Sequence, residues 1–563
     1  MTASTHGRRS RRAGFRFAAP IAALALVLGG CGDDAAVEAG SSDIGATSDI
    51  NPRPRDEIAD GGNLRLAIPN FPATFNPGHV DADGYVNDVT GWTLPGTLTS
   101  DAAGNLEVDH NYFSSIELTE TSPQTIVYTI NPKAVWSDGS PITWQDLRSQ
   151  VGALSGRVTA FKVKATQAYS SVEKVERGVD DRQAIVTFAE HYAEWKGLFN
   201  PLLPQPSTAT PQAFEDFYRN DMPLSAGPFM VTEVNRADQR IILSRNPKWW
   251  GDTPKLANVT YSALDASAQL SALQNNELDA VEPLSTADDI KIATGTPGVQ
   301  VRRAPANSFT HITFNGAPGS IMADPKLRIA VSKGINRQAI ATAVQIGVVK
   351  DPKPLNNHLY LVGQTGYQDN AESVSFDPAA AARMLDDLGW KLNGEFREKG
   401  GRRLEVRDTV PQNDVQVRIA TIVQQNLADI GVQVHIETYP GTNFFTGIVD
   451  PGNFDIAQFA WSKSIFPLGA LPQIYAYDPA NKLSNHGRIG SPELNALIED
   501  IIAELDPQKA IELANKADRI IFESGFSLPI VQSAGAVAVR ANLANFGAFG
   551  LSSADYTKIG FVK

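Results

Sequence analysis

At 563 residues, 42% hydrophobic and 20% charged, the chain can bury more than one core and is too long for one ordinary compact domain. Its formal net charge of −13 excludes a nucleic-acid binder driven by phosphate neutralisation. The single cysteine, Cys31, excludes an internal disulfide and leaves the body without a thiol nucleophile.

Five arginines, Arg8, Arg9, Arg11, Arg12 and Arg16, precede an apolar run from Phe17 to Leu28. A charged start followed by an apolar stretch too short to span a bilayer comfortably is the layout of a secretory signal. The run ends in Leu28-Gly29-Gly30-Cys31, which resembles a bacterial lipobox. That likeness implies a signal peptide over 1–30 and a diacylglycerol on Cys31, leaving a body with 44 basic and 62 acidic residues, net −18. Residues 32–60 contain almost no large apolar side chains and read as a flexible linker spanning roughly 30 Å.

The body is mixed α/β and α+β. Residues 51–245 are rich in short strands and turns, such as "TIVYTI", "WSDGS" and "QAIVTF". Thr143 with Asp146 forms a capping box, and Asp324-Pro325, Asp377-Pro378 and Ser491-Pro492 each place a capping side chain before a first-turn proline. Leu404 and Val406 alternate as a strand. Val415, Ile419, Ile422, Val423, Leu427 and Ile430 share a helix face, and Gly431 suits the position past its end. Val432, Val434 and Ile436 alternate again, "FDIAQFAW" reads as a further strand, and the spacing predicts a βαβ unit.

Catalytic patterns are missing. There is no H-E-x-x-H, G-x-S-x-G, P-loop or G-x-G-x-x-G, the histidines are scattered, and the Asp180-Asp181 and Asp386-Asp387 pairs read as a turn and a solvated helix face. We expect no enzyme activity, cofactor or metal.

Six segments, in order, resemble the family 5 extracellular solute-binding proteins of ABC importers, the dipeptide and oligopeptide group. These are "GGNLRLAI", "YTINPKAVWSDGSPITWQDL", "SAGPFMVTEVNRADQRIILSRNPKWWGDTP", "LQNNELDAVEP" with Asn276 at the usual glycine, "FNGAPGSIMADPKLRIAVSKGINRQAI", and "FDPAAAARMLDDLGW". Trp136, Trp249 and Trp250 within them read as core anchors.

The resemblance implies a two-lobed periplasmic-binding-protein-like fold with a hinge between lobes. The first lobe would comprise 61–95, 225–315 and 525–563, its extra subdomain 96–224, and the second lobe 316–524. It further implies a monomer, tethered by lipid to the outer face of the cell membrane, that delivers a peptide or other small solute to ABC permease subunits.

In peptide-binding relatives a strand ending in tryptophan leads into W-x-x-D, whose aspartate pairs with the ligand ammonium. "FDIAQFAWSKS" aligns on Trp461 and places Ser464 at that aspartate, beside Lys463. Three readings stay open. The ammonium of a peptide could be held by another acid, with Asp81, Asp83 and Asp450 as candidates. The ligand could instead lack an ammonium and meet Ser462, Lys463 and Ser464. Or the chain could be a retired binder acting as an envelope lipoprotein. By their place in family site segments, Tyr85, Tyr439, Phe444, Phe445, Trp461 and Phe466 are candidate cleft walls, and Asn357, His358 and Tyr360 are further candidates.

Overall fold

The computed structural model describes residues 47–563 other than 167, 285 and 481. The secretory signal, Cys31 and the first part of the linker lie outside the described residues. Among them, no helix is long and apolar enough to cross a membrane.

Strand β1 (Asn63–Ile68) opens the body. β2 (Phe113–Thr121), β3 (Gln124–Ile130), β4 (Val172–Arg177) and β5 (Gln183–Phe188) form an antiparallel sheet in the order β2-β3-β5-β4. β6 (Phe229–Asn235), β7 (Arg240–Arg245) and β8 (Asn258–Ala263) then return beside β1, giving β1-β8-β7-β6. A third sheet has the order β9-β14-β10-β13-β11-β12. Its strands are β9 (Ala280–Val281), β10 (Val299–Phe314), β11 (Glu405–Pro411), β12 (Gln433–Tyr439), β13 (Ile456–Ser462) and β14 (Ser527–Arg540).

The expected caps form. Thr143 and Asp146 close a capping box on α1 (Trp144–Leu154). Asp324, Asp377 and Ser491 accept first-turn amides of α2 (Pro325–Gly334), α3 (Pro378–Asp387) and a helix over Pro492–Ala503. The βαβ unit is β11, α4 (Asp414–Ala428) and β12, with β11 and β12 parallel and Gly431 left-handed at φ 80°. Asn276, where the family places glycine, is also left-handed at φ 62°.

Two apolar cores result. Leu64, Trp92, Tyr128, Phe229 and Val259 belong to one, and Val406, Val423, Ile456 and Phe522 to the other. Among the described residues only β10 and β14 feed both: Ala304, Val537 and Val539 pack in the first, Ile312, Phe314, Leu528 and Ile530 in the second. Their pairing slips between Pro305 and Phe309 and again between Thr310 and His311. The chain therefore passes from one core to the other inside these two strands. A long alternating strand reads identically on either side of such a crossing.

The linker also ends sooner than its composition implies. Asp49 bridges Ala548, Ile58 is fully buried and bridges Val562, and Arg302 donates to the carbonyl of Ile50. Polar residues hid this docking because it is made largely by backbone groups and polar side chains, with Ile58 as its buried apolar anchor.

Candidate ligand-binding site

β13 builds the site by having two unlike faces and one unpaired edge. Ile456 and Gln458 face the second core, where the Gln458 amide donates to Asp408 at 2.6 Å. On the other face Phe459 meets His311 at 4.4 Å and Phe445 at 5.2 Å between ring centroids. Trp461 lies nearly parallel to His311 (5.8 Å, 13°) and to His486 (5.9 Å, 10°). Burial pushes the His311 imidazole well below its ordinary pKa and lowers His486 to about 4, so both rings are neutral in the physiological range. The result is an uncharged aromatic wall.

The edge follows from the ladder. β13 pairs with β10 along its whole length, from Phe314 opposite Ile456 to Ser308 opposite Ser462, but with β11 only at Ile456 and Ala457. The Lys463 amide donates to the Asn307 carbonyl at 2.6 Å. This fixes the phase of the antiparallel ladder, so the odd residues 459 and 461 exchange bonds with β10. The N–H and C=O of Ala460 and Ser462 then point away from β10, toward the side β11 leaves open. Both residues are exposed.

Of the predicted residues, Trp461, Phe445, Tyr439 and Phe444 belong to this wall. Tyr439 is partly buried and Phe444 is 1% exposed, so Phe444 supports the wall from behind. Asp450 lies beside it, its carboxylate 3.4 Å from His486 Nδ1 but misaligned for a hydrogen bond. Ser462 and Lys463 fall on opposite faces. Ser464 is exposed and closed into a local turn, donating to the Phe466 carbonyl (2.9 Å) and accepting the Phe466 amide (3.1 Å).

Other candidates lie away from the wall. His358 is fully buried, with Nδ1 2.8 Å from Asp518 and Nε2 3.1 Å from the Ser527 carbonyl, so it ties the second core together. Asn357 and Tyr360 are buried in the same region. Asp81 is taken by Arg219 at 2.9 Å, while Asp83 accepts the amides of Tyr85 and Val86 at the start of a helix. Tyr85 packs on the first core.

Two further acidic features were not predicted. Glu194 accepts the amides of Leu468 (2.7 Å) and Gly469 (2.5 Å), while the Ala193 amide donates to the Ile502 carbonyl. Burial raises the Glu194 carboxyl to about 7, against the pull of those amides and of Lys463. Asp88 is raised to about 6 by burial and by Asp83, and Glu282 to about 7 by burial and by Asp88. Both residues are exposed at the surface. Neither feature has a local sequence pattern. A separate groove of about 700 Å³ separates Leu118 and His191 from Asp500 and Leu513 and includes no residue of the wall.

Residues 113–482 match the family model described as bacterial extracellular solute-binding proteins, family 5 middle. The chain is 50% identical over 524 residues to the oligopeptide-binding protein OppA of Mycobacterium tuberculosis, covering 92% of this chain and 88% of that protein. It is 24% identical over 317 residues to the dipeptide-binding protein of Escherichia coli, covering 55% of this chain and 56% of that one. The fold matches the periplasmic EDTA-binding protein EppA with a TM-score of 0.84 at 24% identity, over 92% of this chain and 99% of EppA. It matches Bacillus subtilis AppA, solved with a nonapeptide, with a TM-score of 0.73 at 20% identity, over 90% and 100%.

Proposed function

Because the chain belongs to the family 5 bacterial extracellular solute-binding proteins, we propose that it captures peptides between its two lobes and presents them to an ABC permease, held at the outer face of the cell membrane by lipid on Cys31. Export and solute binding come with the family. Peptide as cargo rests on the open edge of β13. Two exposed residues, Ala460 and Ser462, offer main-chain donors and acceptors in strand geometry, and an extended peptide satisfies such an edge by adding a strand. The neutral aromatic wall beside it suits side chains of many kinds, and the identity to an oligopeptide-binding protein supports the same cargo. The lobes correspond to the two cores, with the hinge at 305–311 and 532–536. No catalytic step is required of such a receptor.

The test is native mass spectrometry of protein purified from its own host, followed by calorimetry with the ligand recovered. A bound peptide that also raises the melting temperature and compacts the protein in solution scattering is the expected result. Recovery of a solute without peptide bonds, binding with the same compaction, would overturn the cargo assignment.

A further inference from the structure

We propose that Lys463 is the anchor for a carboxylate of the bound ligand, a role that rests on the peptide reading above. The β13 alternation continues past Trp461 and puts Lys463 on the face of the aromatic wall, away from Ser462 and Ser464. Its side chain is 7% exposed, with Nζ 5.4 Å from the centroid of the Phe309 ring. Among the described residues, Nζ has no carboxylate within 4 Å and no hydrogen-bond acceptor. The two acids whose fields reach it are occupied elsewhere: Glu194 by the amides of Leu468 and Gly469, and Asp518 by His358 and Asn370. The Ser464 hydroxyl is closed onto Phe466.

An ammonium that has lost most of its hydration needs a counter-ion, and an aromatic face replaces only part of that loss. Burial lowers the Lys463 amine to about 8, with Asp518 and Glu194 holding it that high, so at neutral pH it is still mostly a cation. A ligand carboxylate supplies the missing partner, whereas a free amino terminus placed there would be repelled. The carboxylate could be the peptide's carboxy terminus or an aspartate or glutamate side chain.

Calorimetry on the full-length protein separates these sources with three hexapeptides: one with a free carboxy terminus and no acidic side chain, its amide, and the amide with one aspartate. Wild type is expected to bind at least one carboxylate-bearing peptide tenfold or more tighter than the neutral amide. Lys463→Gln is expected to level the affinities, while Lys463→Arg keeps the preference and shows that the position tolerates change. Equal affinities in wild type, or a preference surviving in Lys463→Gln, would overturn the assignment. Glutarate is included as a probe without peptide bonds. If it binds and Lys463→Gln abolishes that binding while no peptide binds, the anchor stands and the peptide reading falls. If no probe binds, both fall.

Discussion

Asp408 is a carboxyl group fully enclosed beneath the wall, with one oxygen held by Gln458 and the other without a partner. Burial raises it to about 7, above the 3.8 of the unfolded chain. The folded state therefore keeps a proton that the unfolded state has released. Stability from this group is greatest below about pH 4 and is lost as pH rises to about 7. Asp408→Asn should leave melting unchanged at pH 4 and raise stability at pH 8 by on the order of 2 kcal/mol, read from denaturant titrations at the two pH values. A variant no more stable at pH 8 than wild type would contradict it. At this scale the sequence reveals what is missing better than what is present. Ser464 in place of an acid is visible in a motif. That Lys463 turns to the wall while its serine neighbours turn away depends on a ladder with β10, more than 150 residues earlier, and His358 looks polar only until Asp518 is known to meet it.

Helix starts were readable because a cap is local chemistry: Asp377, Ser491 and the Thr143 box act within one turn of themselves. A strand's free edge is not local. "FDIAQFAW" shows the alternation of β13, yet its open side exists because β11 stops pairing at Ala457. Ser462→Pro removes one amide from that open edge without touching the bonds to β10, and proline is tolerated at sheet edges. It should weaken peptide binding about tenfold, the worth of one hydrogen bond, with little change in melting. Trp461→Pro removes a donor to β10 and should melt earlier whether or not ligand is present. If Ser462→Pro binds peptide as wild type does, the edge is not where the ligand pairs.

For the molecule as a whole, Glu194 accepts the amides of Leu468 and Gly469, two bonds that opening of the proposed lobes would break. Its raised carboxyl means that the closed form holds a proton more firmly than a hydrated glutamate near 4.5 would. Closure is thus favoured on the acid side and weakens as pH rises through the interval up to about 7. Lys463, cationic up to about 8, moderates the effect without reversing it. The radius of gyration of ligand-free protein should grow between pH 5 and pH 8, while that of Glu194→Gln stays flat. Matching pH profiles would show that this carboxylate does not report on closure.

The register break in β10 has a wider consequence. Its irregular residues carry the carbonyl of Asn307, which takes the Lys463 amide, and that of Ala306, which takes the side-chain amide of Gln532 on β14. The strand that carries the aromatic wall and the proposed hinge are thus joined through adjacent carbonyls of β10. Tightening one stiffens the other. Among variants of such a receptor, capture strength and release rate are expected to move together along a single axis, so that import from scarce and from abundant supply cannot both be optimised through this strand.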